Sequence, residues 1–319
     1  MSYMRCHQCD ERAVMRLKHH RLNLCKDHYI EWVQRYTQRT IDKWKMFRHD
    51  DRIMVAVSGG KDSLALWDVL LELGYQADGF YIGLGIDGGI DYSNRSYQMV
   101  QKFVEKRETK GDKLHLRVFK VKPTYGAGIP ELQQHSKRAK DKPCSVCGIV
   151  KRHIMNSVTM EGNYDVVATG HNLDDEAAVL FSNTLRWDTS MMMRQSPVLQ
   201  ARNGMPRKVK PFFRFYERET AAYALLCGID YIYEECPFAE GSRSIQLKHM
   251  LNQLEDQSPG IKLSFFMNFL NAQEKEFLNP SENEQAVDTL HACPQCGQPT
   301  TASELCAFCQ LFQRYATQT

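Results

Sequence analysis

Apolar residues recur along this chain in two alternating rhythms. "IMVAV", residues 53–57, is an unbroken apolar run that predicts a short buried strand. The residues after it carry Leu64, Trp67 and Leu71 at helical spacing. "ADGFYIGLG" then reads as a strand, "YSNRSYQMVQKFVEKR" as a helix and "LHLRVFKV" as a strand. "YDVVATGHNLDDEAAVLFSNTL" reads as strand, turn and helix. Strands alternating with helices predict an α/β fold: a doubly wound, mostly parallel sheet covered on both faces. Ahead of it, Trp32, Tyr36, Trp44 and Phe47 are mostly three, four, seven or eight apart, with Arg35, Arg39, Lys43 and Arg48 between them. That spacing predicts an amphipathic helix with a basic face, its aromatics packed on the core rather than on RNA bases.

The pattern divides the chain into a Cys/His-rich segment (residues 1–30), the basic helix as a linker (31–49), the α/β domain (50–280) and a Cys-rich end (281–319). No uncharged apolar run nears the ~20 residues of a membrane span, and "MSYMRCHQCD" has no apolar signal core. The expectation is a soluble, cytoplasmic protein with no membrane partner.

Net charge is only +3, but the positive charge is concentrated. Residues 1–49 hold 11 Lys/Arg against 5 Asp/Glu. Residues 194–214 hold Arg194, Arg202, Arg207, Lys208, Lys210 and Arg214 with no acid. Such ground suits a polyanion such as nucleic acid.

The 11 cysteines mostly fall into Cys-x-x-Cys pairs, which in an intracellular chain favours metal over disulfides. Cys6, Cys9, Cys25 and His28 form one set of two knuckles. Cys293, Cys296, Cys306 and Cys309 form another. Each set predicts a tetrahedral zinc site with no open position, hence a scaffold. His19 and His20 compete for the first site with poorer spacing. Cys227 lies among apolar helical residues and is expected to be inert. Cys144-x-x-Cys147 has no second pair nearby. Cys236, beside a proline in a polar loop, is its candidate third partner.

"SGGKDS", Ser58 to Ser63, puts two glycines, a lysine and hydroxyls between a strand and a helix N-terminus, which suits phosphate. It is not the common P-loop, because Val55 stands where the first glycine is needed. Gly170 and His171 follow another strand, and Asp174 and Asp175 open the next helix, where acids are favourable and can hold Mg²⁺. Lys151 lies one helical turn past Cys147 and is a candidate phosphate contact.

S-G-G-K-D-S resembles the signature of the PP-loop ATP pyrophosphatases, which cleave ATP between the α and β phosphates and adenylate a carbonyl oxygen. By that resemblance Ser58, Gly59, Gly60, Lys61, Asp62 and Ser63 hold pyrophosphate, with Gly170, His171 and Asp174 also at the nucleotide and Lys151 and Asp175 at the chemistry. The full series of motifs is similar to the TtuA-type tRNA 2-thiouridine synthetases, in the group that includes TtcA. It runs from the N-terminal zinc knuckle through S-G-G-K-D-S, C-x-x-C, G-H-N-L-D-D and E-C-P to the C-terminal zinc ribbon, nearly the whole chain. The resemblance implies ATP, Mg²⁺, two Zn²⁺ and a [4Fe–4S] cluster on Cys144, Cys147 and Cys236. Three thiolates leave one iron open for the transferred sulfur. A persulfide on one cysteine with a disulfide-forming partner fits the same thiols. The implied partners are tRNA, met by Arg194, Arg202, Arg207, Lys208 and Lys210, a sulfur donor (a ubiquitin-like thiocarboxylate protein or sulfide) and a second copy in a homodimer. The implied target is uridine C2, with "DYSNRS" closer to the position-54 branch than to the wobble-34 branch. Rival readings are 2-thiocytidine synthesis, nitrogen transfer as in lysidine synthesis, and a non-catalytic RNA-binding zinc-ribbon protein.

Overall fold

The structure is a computed structural model and describes residues 4–134, 143–202, 204–239, 242–275 and 290–317. The boundary expected between residues 280 and 281 lies outside the described residues.

An antiparallel hairpin, β1 (Met15–Leu17) and β2 (Leu22–Leu24), leads into helix α1 (Lys26–Lys43). The helix starts earlier than its aromatic pattern suggests. Cys25 is its N-cap and His28 sits in its first turn, so the expected boundary at residue 30 falls inside it. Trp32 and Phe47 are buried, and Trp32 and Tyr36 pack edge-on against Phe215. The aromatics therefore face the core as expected, with Phe47 reached by a loop beyond the helix.

The central sheet contains β3 (Ile53–Val57), β4 (Ala77–Gly83), β5 (Leu116–Lys120), β6 (Val166–Thr169), β7 (Val198–Leu199) and β8 (Arg207–Val209), in the order β5-β4-β3-β6-β8-β7. All pairings are parallel except β7 with β8. The chain builds outward from β3 through β4 to β5, then crosses back to place β6 on the other side of β3. The strand order thus reverses between β3 and β6, and a crevice opens there beyond the carboxyl ends of the strands.

Side chains of β3 alternate between two cores: Ile53, Val55 and Val57 on one face, Met54 on the other. The first core holds α1, α2 (Lys61–Glu72), α3 (Tyr92–Thr109) and the N-terminal Cys/His module through Leu17, Leu24 and Cys25. The second holds residues of α4 (Val121–Tyr125), α5 (Ile129–Gln134) and α6 (Pro143–Glu161), and the C-terminal module. That module is a hairpin, β9 (His291–Ala292) and β10 (Pro299–Thr300), ahead of a terminal helix at Ala307–Ala316. Phe308 of that helix stacks on His153 at a centroid distance of 3.6 Å. The two terminal modules therefore brace opposite faces of one sheet. Helices α7 (Leu173–Arg186), α8 (Thr189–Met193), α9 (Glu217–Leu226), α10 (Arg243–Gln257) and α11 (Ile261–Glu274) complete the domain, and the terminal helix is α12. Among the described residues no helix is long and apolar enough to cross a membrane.

Candidate active site

The crevice between β3 and β6 is closed by two loops in backbone contact. After β3, Gly59 adopts φ +77°, and a Cβ there would stand 2.1 Å from the carbonyl oxygen of Ser96. Only glycine fits. After β6, a Cβ on Gly170 would lie 2.8 Å from backbone atoms of Asp62 and Ser63. The glycines thus let "SGGKDS" pack against α3 on one side and against "GHNLDD" on the other. Ser63 is buried and braces the turn: the Ser58 N–H donates to its Oγ at 3.0 Å, and its hydroxyl donates to Gly60 O at 3.0 Å. Gly60 caps α2, so the free N–H groups of that helix open onto the crevice.

The charged side chains form a chain across this mouth. Lys61 Nζ lies 3.1 Å from Asp62 Oδ2 and 2.7 Å from Glu217 Oε1. Lys248 Nζ lies 3.1 Å from Glu217 Oε2 and 2.6 Å from Asp175 Oδ1. Asp62 accepts from Asn172 Nδ2 at 3.2 Å and from the Thr220 hydroxyl. Burial pushes the Asp62 carboxyl up, against the pull of Lys61. Glu217 is held down to about 2; burial opposes this, and Lys248 and Lys61 outweigh it. His171 shares a 2.8 Å hydrogen bond with Thr169 at the rim.

Asp174, expected at the nucleotide, sits deeper than its neighbour Asp175. It is buried, with Oδ1 2.6 Å from the buried Lys262 Nζ and Oδ2 accepting from the Glu217 N–H at 2.8 Å. Both oxygens are engaged between α7, α9 and α11, so in this structure Asp174 faces the packing between helices rather than the mouth. Asp175 closes a capping box with Asn172 and keeps part of its carboxylate at the mouth. The sequence patterns missed Glu217, Thr220, Lys248 and Lys262. They lie on helices with no recognisable motif, and only tertiary packing brings them to the loops.

The cysteines come together from distant parts of the chain. Cys144 and Cys147 lie in the first turns of α6, and Cys236 lies in the segment before α10. That segment runs along the crevice. The Ile232 N–H donates to Gly59 O at 2.9 Å, and the Cys144 thiol donates to Phe238 O at 3.4 Å. Burial pushes both the Cys144 and Cys147 thiols up; Cys236 pushes them the same way, and Lys151 pulls them down. Cys227 is half-buried at the end of α9, apart from this group.

The terminal sets are packed more tightly. In each, all four ligand atoms lie within 4.8 Å of one another. Cys9 and Cys25 are 3.7 Å apart, Sγ to Sγ, and so are Cys296 and Cys306. A tetrahedral ion with sulfurs at ~2.3 Å spaces its ligands by about 3.8 Å. Both donor sets therefore fit a zinc ion. His19 and His20 take no part in the first set. They are packed against Tyr216, Trp32 and Tyr36.

The structure narrows the basic tract. Arg194 and Arg202 are exposed, but Arg207 donates to Lys45 O, and Lys210 pairs with the buried Glu176 at 2.8 Å. Burial brings the Lys208 amine down to about 8, with Arg152 acting the same way. These three belong to β8 or its end, inside the sheet, so part of their charge is turned inward.

Comparison with known proteins agrees with this architecture. Residues 5–30 match the N-terminal LIM domain of 2-thiouridine synthetase TtuA, and residues 30–239 match the PP-loop domain. The tRNA-5-methyluridine(54) 2-sulfurtransferase of Thermus thermophilus is 45% identical over 97% of this chain and 91% of its own length. The protein of that name from Pyrococcus horikoshii is 37% identical over 97% and 94%. The U34-tRNA thiolase NcsA from Methanococcus maripaludis, solved with its [4Fe–4S] cluster, shares the fold. Its TM-score is 0.79 at 23% identity, covering 98% of this chain and 97% of its own. The chain belongs to the TtuA-type tRNA 2-thiouridine synthetases of the PP-loop family.

Proposed function

We infer that this protein is an ATP-dependent tRNA sulfurtransferase that activates C2 of a tRNA uridine, ribothymidine 54, and replaces its oxygen with sulfur. One observation carries the reading: a phosphate-binding loop and a three-cysteine group share one sheet edge, joined by the segment that runs from Ile232 at Gly59 to Cys236. The names of the 45% and 37% identical relatives support the substrate and the position.

ATP lies with its phosphates over Gly59, Gly60 and the N-terminus of α2, and Lys61 meets the departing pyrophosphate. Asp62, Asp175 and Glu217 carry three negative charges against the two of Lys61 and Lys248. Adding a triphosphate to a mouth that is already net negative calls for a divalent cation. Asp175, at the mouth, is its best-placed carboxylate, and Mg²⁺ is the expected ion. The uridine C2 oxygen attacks the α-phosphorus and pyrophosphate leaves. A sulfur nucleophile then attacks C2, and AMP leaves with the former oxygen. The base must leave its stack to reach this edge.

Cys144, Cys147 and Cys236 suit a [4Fe–4S] cluster by their chemistry: three free thiols from two parts of the chain, near enough to push one another's titration up. Such a cluster would supply an open iron at which sulfur can be held and delivered. Lys151, which acts on Cys147, faces the same group and is placed to steady negative charge there. Two zinc ions would close the terminal modules as scaffolds. Arg194 and Arg202 are the outermost cations for tRNA phosphates, with Arg207, Lys208 and Lys210 behind them. Sulfide or a ubiquitin-like thiocarboxylate protein is the donor, the protein works as a homodimer, and its substrates place it in the cytoplasm.

The test is Lys61→Ala. The variant is expected to bind tRNA and lose thiolation. Unchanged thiolation would remove the ATP half of this reading.

A further inference from the structure

Glu217 and Lys248 belong to none of the motifs, yet they occupy the centre of the charged mouth. Glu217 divides its carboxylate between two cations, with Oε1 2.7 Å from Lys61 Nζ and Oε2 3.1 Å from Lys248 Nζ. All three side chains are partly shielded, at 23% exposure for Lys61, 37% for Glu217 and 21% for Lys248. The position of Glu217 is fixed from behind, because its N–H is held by the buried Asp174 at 2.8 Å. A carboxylate is therefore built into the place beside Lys61 where a phosphate oxygen would bind. We propose that Glu217 is a resident competitor for the loop lysine, and that Lys248 is the positioning residue that retains Glu217 when the phosphates of ATP take Lys61.

The inference rests on ATP being bound at Lys61, as in the function proposed above. Binding exchanges one anion for another on Lys61, and Lys248 keeps Glu217 paired after the exchange. Without Lys248, Glu217 has only Lys61 to pair with, and the mouth gains a net negative charge. Without the Glu217 charge, Lys61 keeps only the longer contact to Asp62 at 3.1 Å, and phosphate meets one competing carboxylate fewer. A purely structural role would make removal of either side chain weaken ATP binding. The exchange predicts effects of opposite sign.

The experiment measures the Kd for ATP and the KM for ATP in thiolation, for wild type, Lys248→Met, Lys248→Arg, Glu217→Gln and the double variant K248M/E217Q. Thermal melts verify that each variant is folded. Lys248→Met is expected to weaken ATP binding by between about twofold and fivefold, the upper part of the range for a partly exposed ion pair. Lys248→Arg restores most of the loss. Glu217→Gln tightens ATP binding, and the Lys248→Met penalty shrinks in its presence. A folded Glu217→Gln that weakens ATP binding, or an undiminished Lys248→Met penalty in the double variant, would overturn the exchange while leaving the ATP site intact. A wild-type protein that does not bind ATP would overturn the exchange and the proposed function together.

Discussion

Gly170→Ala is a small perturbation aimed at the seam between the two nucleotide loops. The added methyl would sit 2.8 Å from Asp62 C, Asp62 O and Ser63 N, where ordinary contact begins at 3.4 Å. All three are backbone atoms, so no side chain can swing aside. The "SGGKDS" and "GHNLDD" loops must separate by about 0.6 Å. Gly170 does not have a positive φ, so the effect is steric and not conformational. Overpacking of this kind typically destabilises by about 1–3 kcal/mol. The same shift moves Lys61 and Asp62 relative to Asp175. Misplacement by ~1 Å at a reacting centre can reduce rate about a hundredfold, so a loss of between about tenfold and a hundredfold is expected here. Thiolation rate and thermal stability are measured on the same preparation. A folded Gly170→Ala protein with the wild-type rate would refute the claim that the seam aligns the site.

Arg107 is buried against Asp68 at 3.0 Å and Asp112 at 2.7 Å, with Glu72 also paired to it, so Arg107→Ala strands carboxylates and should destabilise by about 3–5 kcal/mol in chemical denaturation. Glu219 and His19 face each other, fully shielded, at 3.6 Å; burial pushes Glu219 up to about 8 and His19 down to about 3. Between 4.5 and about 8 the unfolded chain gives up the Glu219 proton while the folded chain keeps it, so this residue makes stability fall as pH rises. Glu219→Gln should therefore gain thermal stability over wild type at about pH 8 more than at about pH 5, and an equal difference at both would refute the assignment. Elemental analysis should find two zinc ions per chain, falling to one in Cys296→Ser. Protein purified without oxygen should hold about four irons, lost in Cys236→Ala; no iron after reconstitution would favour a persulfide.

The frame of the molecule was legible because its signals are local. An apolar run such as Ile53–Val57 can be satisfied only inside a sheet, and the strand–loop–helix order around "SGGKDS" and "GHNLDD" already points to a strand edge. The two four-ligand Cys/His sets were legible because ligand spacing is itself a sequence property. What could not be read is what depends on distant packing. Asp174 and Asp175 are neighbours in one helix turn, yet one is sealed against Lys262 and the other opens on the mouth. Which is which depends on α9 and α11, far along the chain. Glu217 and Lys248 escaped for the same reason. Within the basic tract, charge counts do not reveal that Lys210 turns inward to Glu176 while Arg194 and Arg202 stay exposed.

The central claim is that ATP chemistry and sulfur transfer meet on one tRNA uridine. Its most direct measurement is mass spectrometry of nucleosides and mapped fragments from unthiolated tRNA, incubated without oxygen with the protein, Mg²⁺ and sulfide, with and without ATP. The account predicts 2-thioribothymidine at position 54, formed only when ATP is present, with AMP released alongside it. ATP turnover that leaves every tRNA uridine unthiolated by the intact, iron-loaded protein would contradict it.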